Sequence, residues 1–164
     1  MRRYAQETSV PVSKSRGEID SLLRTWGCDG IQWTDDFAHD RVQLRFIFAR
    51  LVNGDAMRFM ARFTVALEPL EKVKARCIDG RSGRPSESKL ADAIERRGRS
   101  EHRLLLLWLK AAFNAVDAGL VSPEALFLPF LEGRDGATVA ERAIPQLSTL
   151  LKGSADRLLL GDGR

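Results

Sequence analysis

The arginines supply the most suggestive chemistry in this chain. Arg41, Arg45, Arg58 and Arg62 fall in two runs whose apolar residues recur with period two. One run carries Val42, Leu44, Phe46 and Phe48, the other Phe59, Ala61, Phe63 and Val65. A guanidinium is a planar, permanently charged fork that fits phosphate or carboxylate oxygens in pairs. Between the runs lies Asn53-Gly54, a dipeptide that tolerates the positive φ angles of a type I′ hairpin turn. With those two residues as the loop, Val42 faces Val65, Leu44 faces Phe63, Phe46 faces Ala61 and Phe48 faces Phe59. A slip of one residue would send these side chains to opposite faces, so the pattern specifies its own register.

The same register opposes Arg45 to Arg62 and puts Arg41, Gln43, Arg58 and Thr64 beside them. Like charges directly opposed across strands are destabilising unless something neutralises them. A nucleic-acid phosphate would do so, as would acidic residues of a covering helix, or screening by water. Ile47 and Met60 share that face and favour partial cover by protein. A second basic set is Lys72, Lys74, Arg76, Arg81 and Arg84, followed by Arg96, Arg97, Arg99 and Arg103. On a mobile connection these would add salt-dependent phosphate contacts. Alternatively they pair with Glu87, Asp92 and Glu95.

Other chemistry finds little support. The chain lacks a phosphate-binding Gly-x-x-x-x-Gly-Lys loop, a Gly-x-Gly-x-x-Gly fingerprint, a Gly-x-Ser-x-Gly elbow and a His-Glu-x-x-His pair. His39 and His102 read as surface or turn residues. Asp35, Asp36 and Asp40 could gather round a cation, but an acidic turn is more simply solvated. Cys77 lies among bases that would lower a thiol pKa, with no partner base in view. Cys28 and Cys77 belong to no Cys-x-x-Cys or Cys/His array, which argues against structural zinc and a disulfide framework and fits a reducing compartment. The expectation is no catalytic residue, no metal and no cofactor.

The elements that must position these groups follow from the pattern. Ile19, Leu22, Leu23 and Trp26 form one apolar stripe, so a helix is predicted over 14–26, with Ser15 and Glu18 as its capping box and Gly27 as its left-handed stop. Ile31 and Trp33 alternate with polar neighbours as a first strand ending in an Asp35-Asp36 turn. Residues 68–100 read as a long basic connection with one short helix over 87–97. Residues 101–118 are apolar nearly all round, predicting a central helix buried on most sides, with Gly119 as its stop. Ser122-Pro123-Glu124 opens a short helix to about residue 131. Asp135-Gly136 makes a turn, and the Thr138/Glu141 capping box starts a helix to about residue 152 that Pro145 bends.

The expected fold is α+β. An N-terminal α-β-β-β unit over 1–67 carries a three-stranded antiparallel sheet; the connection of 68–100 and a mostly helical part over 101–164 complete a single domain. The order of one helix, three strands and a helix is also that of double-stranded RNA-binding domains, but the connection before the last helix is longer than that module has. The chain of 164 residues is 44% hydrophobic and 29% charged, enough apolar material for a real core. Its 26 basic and 22 acidic side chains leave a net charge of +4. That balance suits a nucleic-acid partner and equally suits simple solubility. The 20 arginines against 6 lysines favour bidentate phosphate contacts, although a GC-rich coding bias gives the same ratio. The N-terminus lacks the apolar stretch of a signal peptide, and the longest apolar run, 104–109, is too short to span a bilayer. The expectation is a cytoplasmic protein with no membrane association.

Four stretches together carry a family resemblance. They are Tyr4-Ala5 leading to Val12-Ser13-Lys14-Ser15-Arg16 and Glu18-Ile19; Arg96-Arg97-Gly98-Arg99 leading to Arg103 and the leucines 104–107; Phe127-Leu128 with Asp135-Gly136; and Thr138-Val139-Ala140-Glu141 leading to Pro145. In these the chain resembles an uncharacterised family of small proteins found in tailed phages and integrated mobile elements of bacteria. The resemblance implies a mobile-element context and brings no activity and no functional residues with it. The functional expectation is therefore a non-enzymatic phage or mobile-element accessory protein that binds nucleic acid through arginines of the sheet and connecting loop. The alternative is a protein–protein interaction module, which predicts exposed Trp or Leu surface.

Overall fold

The structure, a computed structural model, describes residues 8–52, 54–78, 84 and 86–147. Helix α1 (Val12–Thr25) leads into strands β1 (Gly30–Asp36), β2 (Arg41–Val52) and β3 (Asp55–Ala66). Then come α2 (Leu70–Arg76), α3 (Glu87–Arg96), α4 (Arg99–Asp117) and α5 (Pro123–Phe127). A 3-10 turn follows at Leu128–Phe130, then α6 (Val139–Ala143) and a second 3-10 turn at Ile144–Gln146. This is the expected α+β architecture, an N-terminal helix and antiparallel sheet followed by a mostly helical half. Among the described residues no helix is long and apolar enough to cross a membrane.

The sheet order is β1-β2-β3, antiparallel throughout. The hairpin register is the one the apolar alternation requires: Val42 meets Val65, Leu44 meets Phe63, Phe46 meets Ala61 and Phe48 meets Phe59. Val52 pairs with Asp55, which leaves a two-residue connection. Asn53 lies outside the described residues, and Gly54 has φ +92°, where an L side chain would be strained. Alternation then sorts the sheet into two faces. One carries Leu44, Phe46, Phe48, Ala61 and Phe63, all buried, and α1 and α4 lie together over it. The core draws Ile19 and Leu23 from α1 and Leu105, Leu106, Leu109, Ala112 and Phe113 from α4. Phe127 of α5 is fully buried at the centre of an aromatic cluster. Its ring lies 5.6–5.8 Å from those of Trp26, Phe46, Phe48 and Phe113.

Several local expectations need correction. Helix α1 begins at Val12 behind Pro11, which fixes the entry to the helix, and no side chain caps it. Ser15 is thus inside the first turn, fully buried, with no partner for its hydroxyl, and Glu18 pairs instead with Arg103 and Lys110 of α4. Asp35 and Asp36 extend β1 rather than forming a turn. The connection holds two helices: Leu70–Arg76 is too short and too charged to show a periodic stripe, yet Val73 anchors it at 1% exposure. Helix α4 is not enclosed on most sides, since Trp108 is 38% exposed and Ala111 and Asn114 face solvent. Beyond Leu128 the chain tightens into a 3-10 turn, and Pro145 does the same after α6. The expected extension of α6 to 152 passes outside the described residues. Three end signals hold: positive φ at Gly27 and Gly119, Ser122 Oγ accepting from Ala125 N–H at 3.2 Å, and both bonds of the Thr138/Glu141 box.

Candidate functional site

The outer face of the sheet brings Arg45 and Arg62 opposite each other as the register demands. It also brings the carboxylates that neutralise them. After the 3-10 turn the chain runs back along β3, with an isolated bridge from Leu131 to Ala61 and Glu132 N–H donating to Met60 C=O at 2.8 Å. This places the Glu132 side chain, only 6% exposed, against Arg45 Nε at 2.9 Å and within 3.9 Å of Arg62 Nε. Arg62 donates to Glu141 of α6 at 2.5 Å and is itself 11% exposed. Arg41 pairs with Asp36 at 2.8 Å, and Arg58 lies 3.4 Å from Asp29 while remaining 78% exposed. The expected uncompensated guanidinium face is therefore corrected: each of these four arginines has an internal counter-ion, so no outside anion is needed to offset Arg45 against Arg62.

The second basic set divides. Arg97 pairs with Asp40 and Arg99 with Glu95, and their side chains are only 8% and 18% exposed. Lys74 pairs with Glu71 at 2.8 Å and Arg76 with Glu68 at 2.6 Å, whereas Arg96 is 70% exposed with Asp92 at 3.9 Å. Lys72 is exposed and has no carboxylate within ion-pair reach among the described residues, and the same holds for Lys89, which the sequence patterns did not single out. Arg84 is exposed, and Arg81 lies outside the described residues.

The carboxylates of the β1–β2 corner do not converge on a cation. Asp35 accepts from both Arg16 amino groups at 3.1 and 2.5 Å, and that bond holds its pKa below the usual carboxylate value. Asp36 points to the other face, where His39 Nδ1 at 2.9 Å and Arg41 lower its pKa. Asp40 holds Arg97 and accepts from Leu70 N–H at 3.2 Å. Among the described residues no three His, Cys, Asp or Glu side chains gather as a metal site. Cys77 is buried, and its thiol is directed at Lys89 C=O at 3.6 Å, which removes it as an accessible nucleophile.

His102 is not a surface residue. It is 1% exposed, with Nδ1 2.7 Å from Gly98 C=O and Nε2 accepting from Arg16 Nε–H at 3.2 Å. That pairing requires the neutral ring with its proton on Nδ1. Burial pushes its pKa below the ordinary value, against a raising contribution from the Gly98 bond. Trp33 lies 5.7 Å away, and the Arg16 guanidinium rests over that indole at 4.8 Å. The cluster ties α1, β1 and the start of α4 together. No short motif announces it, because its members are separated by up to 86 positions.

The hairpin also has an uncovered end. β1 pairs with β2 only as far as Ile47, and the returning chain meets β3 only from Met60 onward. The ten described strand residues nearest the turn, 48–52 and 55–59, therefore form a two-stranded arm. On the outer face Ile47 pairs with Met60 at the base of the arm and Leu51 with Ala56 within it; Leu51 is 75% exposed and Met60 36%. On the other face Arg50 is laid over Trp26 at 4.4 Å. Comparison with protein-family models, with curated proteins and with solved structures finds no match to this chain.

Proposed function

We propose that the protein is a non-enzymatic interaction module whose working surface is the β2–β3 arm, and that it receives an extended segment of another protein. The observation that carries this reading is the arm's open edge beside an uncovered apolar face. Ile47 C=O accepts from Asp29 N–H at 2.8 Å, so odd-numbered residues of β2 turn their backbone groups to the β1 side. Ala49 and Leu51 do the same beyond the end of β1, where no described strand meets them. Ala49 C=O is taken by the Arg50 side chain at 2.7 Å. Natural sheets blunt such edges with lysine, proline or a covering element. The arm has neither Lys nor Pro in 48–59. An added strand would gain main-chain bonds to this edge and rest its alternate side chains on Ile47 and Leu51.

The test is affinity capture with the wild-type chain and two arm variants, Leu51→Glu and Ala49→Pro, followed by quantitative comparison of the proteins retained. The reading predicts a partner lost by both variants while thermal stability stays near wild type. An unchanged set of partners would overturn it. Sedimentation of the purified chain covers the case in which the added strand belongs to a second copy.

A second reading keeps nucleic acid as the partner but moves the contact off the sheet. It is favoured by Lys72 and Lys89, exposed on α2 and α3 with no ion-pair partner among the described residues, and by the exposed Arg76 and Arg96. Fluorescence anisotropy with DNA and RNA across a salt series decides it, because phosphate contacts release counter-ions and weaken steeply with salt. The phage or mobile-element setting rests on the sequence resemblance alone.

A further inference from the structure

We infer that the segment received by the β2–β3 arm is an extended peptide carrying an acidic side chain between two apolar ones, and that Arg50 selects the acid. This inference rests on the reading of the arm as a receiving edge and adds to it the chemistry of the partner. Alternation along β2 decides the pattern. A strand added beside residues 49–51 turns each side chain to the same face as the residue it pairs with. Opposite Ala49 and Leu51 its side chains lie on the outer face, where Leu51 is 75% exposed and is followed across the hairpin by Ala56. Apolar groups fit there. Between them, opposite Arg50, a side chain turns to the inner face and meets a guanidinium. The alternation is the same whichever way the added strand runs.

Arg50 is fixed in position yet uncommitted in charge. Its guanidinium lies 4.4 Å from the Trp26 ring centroid and 5.7 Å from that of Phe48, which hold it on the inner side. Nη1–H donates to Ala49 C=O at 2.7 Å, a carbonyl of the open edge, so the charge is kept at the edge itself. Among the described residues no carboxylate lies within ion-pair reach of it. Asp29, the acid just before β1, pairs instead with Arg58 of the outer face at 3.4 Å. An added strand offers its own main-chain N–H to Ala49 C=O and releases the Arg50 amino group to a carboxylate. A guanidinium already held by two rings gives up little side-chain freedom on pairing, so more of the interaction appears as affinity. A lysine at the same place would set like charges opposite each other on neighbouring strands. A second copy of the edge does not supply the acid, because residues 48–52 are Phe-Ala-Arg-Leu-Val.

The experiment is a titration of the ¹⁵N-labelled chain with two capped pentapeptides, one alternating valine with glutamate and the other valine with lysine. Binding is read from the backbone amides of Ala49 and Leu51 and from the Arg50 Nε–H resonance. At low salt the glutamate peptide should bind roughly tenfold more tightly, the worth of one charge-assisted bond. Arg50→Glu should invert that order and Arg50→Gln should abolish the preference, with thermal unfolding used to verify that each variant is folded. Ala49→Pro, which removes an edge N–H, should weaken both peptides. Equal affinity for the two peptides, or a preference that survives Arg50→Glu, would overturn the inference. Equal affinities that Ala49→Pro still weakens would leave the arm reading standing without an acidic partner. Absence of saturable shifts at Ala49 and Leu51 with the glutamate peptide would also overturn the inference, and the capture experiment then decides the arm reading on its own.

Discussion

The Glu132 carboxylate lies 2.9 Å from Arg45 Nε across a span of 87 residues, and this contact explains how β2 and β3 tolerate Arg45 directly opposite Arg62. Glu132 is shared by both guanidiniums, and Glu141 completes the arrangement from α6. The tail of the fold is thereby locked to the outer face of the sheet by charge. On the inner face the lock is apolar.

Removing one member of a largely buried charge network strands the rest. Glu132→Ala should destabilise the protein by about 3–5 kcal/mol, because it leaves two opposed arginines without a shared acceptor. Replacing all three, as Arg45→Met, Arg62→Met and Glu132→Leu, should recover most of that loss. Urea unfolding curves for the two variants measure both effects. A Glu132→Ala midpoint equal to wild type would show that the network contributes nothing.

The hairpin was legible in the sequence because its information is local. Two apolar runs of period two and one turn dipeptide specify every pair from Val42–Val65 to Phe48–Phe59. The neutraliser of Arg45 was not legible, since nothing near Glu132 in the chain distinguishes it from any other acidic loop residue. Glu141 could be seen, but as half of a capping box; its second duty toward Arg62 depends on where α6 packs. Helix α2 was missed because seven residues with one anchoring valine carry too little periodicity. His102 was misjudged for a related reason. Its burial follows from α1 packing on α4, a contact that Arg16 and Glu18 report only once the two helices are side by side.

That buried imidazole makes stability depend on pH with a definite sign. The folded pKa of His102 is depressed below its ordinary value of 6.5, chiefly by burial. Above 6.5 the ring is neutral in both folded and unfolded chains, and its contribution is fully present. As pH falls below 6.5 the unfolded chain takes up the proton first, so stability is lost until the folded value is passed. Arg16, facing Nε2, opposes protonation; Asp35 and Glu101 favour it but do not prevail. The unfolding free energy of the wild type should fall across the window just below 6.5, and His102→Gln should flatten that slope. Identical slopes would mean that some other group titrates there.

The two cysteines should be inert in the native state for different reasons. Burial pushes the Cys28 thiol up to about 12, outweighing the nearby Arg50 charge. Cys77 is 5% exposed with its thiol on Lys89 C=O. Iodoacetamide near pH 8 needs thiolate, so intact-mass analysis should show little alkylation of the folded chain within a time that fully modifies both residues in denaturant. Rapid native labelling of Cys77 would show that the α2–α3 contact opens readily.

Core and arm can be separated by a pair of substitutions that both remove large apolar groups. Phe127 is fully buried against the rings of Trp26 at the end of α1, Phe46 of β2 and Phe113 of α4, so Phe127→Ala leaves a cavity where helices and sheet meet. It should cost about 3–5 kcal/mol, and Phe127→Leu, which keeps most of the volume, under about 1.5 kcal/mol. Leu51 is 75% exposed on the arm's outer face, the side of the sheet opposite Phe46. Leu51→Glu should change stability by about 0.5 kcal/mol or less, with an unchanged denaturant slope. If Leu51→Glu were as destabilising as Phe127→Ala, the arm would be a structural element covered in solution. A near-zero cost leaves Leu51 free for a surface role.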